Sequence, residues 1–222
     1  MKFSENTLSI LKNFSTINPS VMFKSGNTIR TISPQKTVMA SATITETFAS
    51  NAGVYDLSRF LGTLSLFTDP DVEFMDKQFL IKSGNGQSTV KYTYAAESMI
   101  VTPPDADIAL PNPDVVVNLT NDDLQKVIRA ASVLQLGEIA FRGDGENISI
   151  VALDTKNPTA DGFDIVLSAT TDKKFLMVIK VENLKLLQAD YTVSLSSKGL
   201  AHFKSDKVQY FIAIEKNSTF GA

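Results

Sequence analysis

One short pattern occurs twice in this chain. FKSGNTI, residues 23 to 29, returns as FRGDGENI, residues 141 to 148, with one residue inserted, and Phe23 and Phe141 stand 118 positions apart. The flanking sequence repeats as well. Ile10-Leu11-Lys12 is answered by Val127-Ile128-Arg129, an apolar pair followed by a base, and each segment passes through a polar bend, INPS or LQLG, into a β-rich run. Helix, bend, strand, glycine turn and strand therefore recur in one order at a period near 117. A chain of 222 residues holds two such units and each can bury a core, so the duplication constrains the architecture more than any single motif.

Four segments carry helical periodicity. The first has Ser4 as its cap and Ile10, Leu11, Phe14 and Ile17 at spacings of three and four. The second opens at Asp56 with Leu57, Phe60, Leu61 and Leu64 on one stripe, interrupted by Gly62 at a cost of about 1 kcal/mol relative to Ala. The third follows Thr120-Asn-Asp-Asp123, a relative of the capping box, with Leu124, Val127, Ile128, Ala131 and Leu134. The fourth, VENLKLLQ (181 to 188), is short. Between them the period falls to two, in runs such as KTVMASATI, KQFLIKS, ENISIVAL, KFLMVIKV and VQYFIAI, most of them bounded by turn residues. The expectation is an α+β fold of two similar domains, each with two helices packed on antiparallel sheets. The proline-rich stretch 103–113, PPDADIALPNP, reads as an extended connector between a domain at 1–102 and another at 114–222.

Composition removes several chemistries. With no cysteine and His202 as the single histidine, there are no disulfides, thiolate nucleophiles or zinc fingers. His202 lies in AHFKS, an alternating strand-like run, so a serine hydrolase built on it is the weakest reading. FKSGNTI is not a phosphate loop: its glycine leads into another strand and not into a helix N-terminus, so its amides are expected in a hairpin turn, as are those of FRGDGENI and SGNGQS. Asp122 and Asp123 fit a helix's first turn, and Asp105 and Asp107 a solvated linker, so no catalytic, metal or cofactor site is expected. No apolar run reaches the roughly 18 residues that span a bilayer, and MKFSENTLSILKNF is not a signal-peptide core, which makes a cytosolic, membrane-free setting the expectation.

The helices also share a charge pattern. Acids occupy their first turns (Glu5, Asp56, Asp122, Asp123, Glu182), and bases follow off the apolar stripes: Lys12, Arg59, Lys126, Arg129 and Lys185. Local pairing and dipole complementation account for each base taken singly. Five across four helices of a repeated unit would form one basic surface if the helices shared a side. On a chain of net charge −3, such a surface suits a polyanion held by charge and not by base reading.

Collinear blocks then resemble a known family. MKFSENTLSILKNFSTIN with MFKSG, VYDLSRFLGTLSLF, LTNDDLQKVIRAASVLQ and YFIAIEKNST are similar, over the whole chain, to the sliding clamps of T4-type bacteriophages, the DNA polymerase processivity factors. The resemblance implies a DNA-clamp fold, a homotrimeric ring around duplex DNA without sequence preference, a polymerase partner, and loading by an ATP-driven clamp loader in the cytoplasm of the infected bacterial host. It implies that Lys12, Arg59, Lys126, Arg129 and Lys185 face the DNA. It implies a pocket for partners' hydrophobic tails near Ile108 and Leu110, against the last strand at Tyr210, Ile212 and Ile214. It implies subunit contact through edge strands at 88–94 and 163–168, with Val90, Tyr92, Tyr94, Asp164 and Val166. The rival reading is a β-rich virion or assembly protein without a DNA-tethering role; the duplication of helix-faced units favours the clamp.

Overall fold

The computed structural model describes residues 1–104 and 108–221. The chain divides into two compact units, Met1–Ala106 and Asp107–Ala222.

The first unit runs α1 (Glu5–Ile17), β1 (Val21–Phe23), β2 (Gly26–Ile32), β3 (Val38–Phe48), β4 (Ala52–Val54), α2 (Leu57–Leu64), β5 (Asp71–Phe74), β6 (Gln78–Lys82) and β7 (Thr89–Thr93). α1 begins where the Ser4 hydroxyl accepts from the Thr7 amide, and it buries Ile10, Leu11, Phe14 and Ile17, the stripe expected from spacing. α2 begins where Asp56 accepts from the Arg59 amide at 2.8 Å and buries Leu57, Phe60 and Leu64. Antiparallel pairs join β1 with β4, β2 with β3, and β5–β6–β7 as a meander. The core is largely phenylalanine. Phe23 stands 4.8 Å from Phe48 and Phe60 4.9 Å from Phe79, both tilted, and Phe79 meets Tyr94 at 4.6 Å in the edge-on contact that ring quadrupoles favour.

The bend INPS is a junction. Asn18, 2 % exposed, donates from Nδ2 to the carbonyls of Ile32 (2.9 Å) and Val101 (3.2 Å), and its Oδ1 accepts from the Ser20 amide. The Pro19 carbonyl receives the Leu57 amide at 2.7 Å, which ties the start of α2 to the end of α1.

The second unit runs β8 (Val115–Leu119), α3 (Asn121–Val133), β9 (Glu138–Asp144), β10 (Asn147–Leu153), β11 (Phe163–Thr170), β12 (Lys174–Lys180), β13 (Tyr191–Ser196), β14 (Leu200–Lys204), β15 (Val208–Ala213) and β16 (Thr219–Phe220). Five strands form an antiparallel sheet in the order β11-β10-β9-β12-β16. A second antiparallel array pairs β8 with β13, β13 with β14 and β14 with β15. α3 packs on β9, β10 and β11 through Leu124, Val127 and Ala131.

Two expectations are corrected. VENLKLLQ is not a helix: only Val181–Asn183 turns, as one 3-10 turn. The Leu187 amide donates to the Tyr210 hydroxyl at 3.0 Å, a tertiary bond, and the Leu187 carbonyl accepts from the nearby Tyr191 hydroxyl, so side chains take the backbone groups that a helix would use. FKSGNTI is also not a simple hairpin turn. FRGDGENI does join two paired strands, β9 and β10, with Gly145 at φ +100°, but the chain at Lys24-Ser25 changes sheets, because β1 pairs with β4 and β2 with β3. Gly26, at φ +114°, supplies the backbone conformation for that change. SGNGQS is the β6–β7 hairpin, as expected.

Candidate functional site

Helix periodicity puts the bases where the cores are not. Lys12 on α1, Arg59 on α2, and Lys126 and Arg129 on α3 lie on the side of each helix away from its buried stripe. Lys185 is exposed as well, but on irregular chain following the 3-10 turn.

The helix starts are fixed by side-chain acceptors. On α3 the Thr120 hydroxyl accepts from the Asp123 amide at 3.1 Å and donates to its carboxylate at 2.7 Å, closing a relative of the capping box. Asp122 instead pairs with Lys126 at 2.6 Å, and this partner raises the lysine's pKa. At α1 the cap is braced from β3: Glu46 accepts from the Ser4 amide, from the Thr7 hydroxyl at 2.6 Å and from the Thr45 hydroxyl at 3.0 Å. Burial opposes its ionisation, yet the hydrogen bonds from Ser4 and Thr7 prevail and lower its pKa to about 2.

Among the described residues, nothing resembling a catalytic constellation forms around the single histidine. The His202 ring stacks flat on Phe211 at 4.3 Å, its Nε2 lies 3.0 Å from Gln209 Oε1, and burial lowers its pKa. Among the described residues no group of three His, Cys, Asp or Glu could hold a metal ion, and no helix is long and apolar enough to cross a membrane. Asp105 and Asp107 lie outside the described residues.

The residues expected at a partner pocket differ in exposure. Ile108 is exposed and Leu110 half-buried, whereas Tyr210 and Ile212 are wholly buried. Tyr210 belongs to an internal aromatic group with Tyr191 and Phe203, and burial pushes its phenol up to about 12. Neither Tyr210 nor Ile212 presents surface to a ligand. Ile214 lines a cavity of about 400 Å³ together with Met177, Gly199, Lys216, Thr219 and Phe220. No local pattern signals that grouping, since Met177 and Phe220 come from strands that only the sheet brings together.

The two predicted edge strands are edges within their own sheets. β7 is the last strand of the β5–β6–β7 meander, and β11 the outer strand of the five-stranded sheet. On β7, Val90 and Tyr92 are half-buried, as is Tyr94 just beyond it. The tyrosine hydroxyls donate to the carbonyls of Asp56 and Met75, each at 3.0 Å, so these side chains hold the edge in place. On β11, Asp164 pairs with Arg142 across β10, and Val166 is 64 % exposed.

The chain is similar to proteins of known role over its whole length. Residues 3–102 match the family described as DNA polymerase processivity factor, and residues 116–216 match the family described as gp45 sliding clamp, C terminal. The sliding clamp of Vibrio phage KVP40 is 30% identical over 221 residues, covering 97% of this chain and 99% of that protein. The sliding clamp of Escherichia phage RB69 is 32% identical over 226 residues, covering 99% of each. Among solved structures, A. fulgidus PCNA bound to the C-terminal region of FEN-1 superposes with a TM-score of 0.70 at 16% identity, covering 96% of each chain. Proliferating Cellular Nuclear Antigen from Entamoeba histolytica gives 0.69 at 13%, covering 94% of each. At that identity the structural likeness shows the fold alone.

Proposed function

The chain belongs to the sliding-clamp family of DNA polymerase processivity factors, and on that premise we propose how its own residues do that work. The protein tethers a DNA polymerase to its template. Three copies close into a ring around duplex DNA, each contributing a domain at 1–102, a connector at 103–113 and a domain at 114–222. An ATP-driven clamp loader opens and closes the ring in the cytoplasm of the infected bacterium, and the clamp itself catalyses nothing.

The observation that carries the DNA-facing assignment is the repeated placement of bases on capped helices, opposite their buried stripes, in an otherwise acidic chain of net charge −3. Lys12, Arg59, Lys126 and Arg129 project from rigid elements, and Lys185 from the irregular segment after β12. Scattered cations attract phosphates without fixing a register, which is what sliding requires, and the acidic remainder discourages DNA from settling on the outside. Subunits join by pairing β7 of one copy with β11 of the next, which removes two exposed strand edges at once. Partners' hydrophobic tails dock near Ile108, Leu110 and Ile214.

Retention on DNA of different topology tests the reading. Once loaded, the protein should remain on closed circular DNA and leave when the circle is cut; equal retention on both would overturn it.

A further inference from the structure

One surface turn carries chemistry that DNA tethering does not use. The β6–β7 hairpin closes through Ser83-Gly84-Asn85-Gly86-Gln87-Ser88, and Asn85-Gly86 is the only Asn-Gly step in the chain. We propose that Asn85 is a site of spontaneous deamidation, with water as co-reactant and no enzyme required.

Elimination singles it out. Asparagine deamidates when the next residue's backbone nitrogen attacks its side-chain carbonyl carbon. Asn112 and Asn157 precede prolines, which offer no N–H. Helices, strands or the core hold all the others except Asn51, Asn85 and Asn217. These three are followed by Ala52, Gly86 and Ser218, so only at Asn85 does the attacking nitrogen belong to a residue without a Cβ. Gly86 sits at φ +71°, and both residues are exposed.

The turn also polarises the atom under attack. Asn85 Oδ1 accepts from the Ser83 hydroxyl at 2.6 Å and from the Gln87 amide at 3.1 Å. Two donors thus converge on the oxygen that gains negative charge as the tetrahedral intermediate forms. The opposing feature is the Gly86 amide, which donates to the Ser83 carbonyl at 2.8 Å. That bond must open first, and at an exposed hairpin tip its opening disturbs little else.

Atoms balance over the two stages. The Gly86 amide proton goes to solvent base, and the nitrogen bonds to Asn85 Cγ. The Cγ–Nδ2 bond breaks and ammonia leaves with a proton from solvent. Water then opens the five-membered imide at either carbonyl, giving aspartate or isoaspartate. The product adds a carboxylate at the turn that leads into β7 and, in the isoaspartyl form, one extra backbone methylene.

Incubating the folded protein in mildly alkaline buffer and mapping peptide masses over time tests this. The peptide spanning Asn85 should gain the mass of an NH₂-to-OH exchange before peptides carrying Asn51 or Asn217. Its rate should rise with pH, and Gly86→Ala should slow it about tenfold by crowding the attacking nitrogen. If Asn85 stays intact while Asn51 or Asn217 converts, or if its rate is flat with pH, the proposal is wrong. Because mass mapping of the unaltered chain decides the matter, a misfolded Gly86→Ala variant would not rescue it.

Discussion

Lys126 Nζ lies 2.6 Å from Asp122 Oδ2, one turn earlier on α3, and Arg129 follows on the same helix, off its buried stripe. The lysine's charge is shared with an acid of its own helix, and both partners are well exposed, so the pair adds little to stability. Lys126→Glu with Arg129→Glu should therefore leave melting nearly unchanged while weakening DNA retention. The slope of log affinity against log salt should become shallower by ~0.9 for each phosphate that the variant no longer neutralises. A double variant that dissolves the oligomer instead would place these residues between subunits.

Gly53 and Gly62 predict opposite responses to the same methyl group. A Cβ at Gly53 would meet the Ala95 carbonyl oxygen at 2.6 Å and Ile100 Cδ1 at 2.7 Å, and the Ala95 amide is itself bound to the Gly53 carbonyl. Gly53→Ala should cost about 1–3 kcal/mol through overpacking. Gly62 is in α2 with nothing within 4 Å, so Gly62→Ala should stabilise by roughly 0.5–1 kcal/mol through helix propensity. Thermal melts of the two variants check both signs.

Acid should loosen the base of α1. The Glu46 pKa falls from an ordinary 4.5 to about 2 in the folded protein. A lowered folded pKa gives stability that is complete above the unfolded value and is lost as pH falls through the folded one, so the loss runs from about 4.5 down to about 2. Solvent screening at this half-exposed site keeps its net worth to about 1 kcal/mol. Glu46→Gln should lower neutral-pH stability by that amount and flatten the acid limb between those values, as read by denaturant melts across pH.

Val166, 64 % exposed on the outer strand β11, should report on assembly. Val166→Asp puts a charge on that edge without entering a core, so the melting of the isolated subunit should hold. Oligomer dissociation, followed by dilution and mass measurement, should shift by tenfold or more, equivalent to about 1.4 kcal/mol. An unchanged dissociation midpoint would remove β11 from the interface.

The duplicated plan, the three helices and the residues that cap and bury them are legible in the chain before any folding is considered. Caps and apolar spacing act within one or two turns, so Ser4, Asp56 and Thr120 and their stripes are readable without partners. The outward placement of Lys12, Arg59, Lys126 and Arg129 follows from the same periodicity. Other features depend on long-range packing. VENLKLLQ has local helical spacing, but Tyr210, brought in by β15, takes the Leu187 amide. FKSGNTI has a turn's composition, yet the long-range pairing of β1 with β4, while β2 pairs with β3, makes it a change of sheets. Tyr210 and Ile212 alternate as a half-exposed strand would, and tertiary packing buries them completely. The Leu187–Tyr210 hydrogen bond and the β1–β4 pairing join residues distant in sequence, and no local window contains both partners.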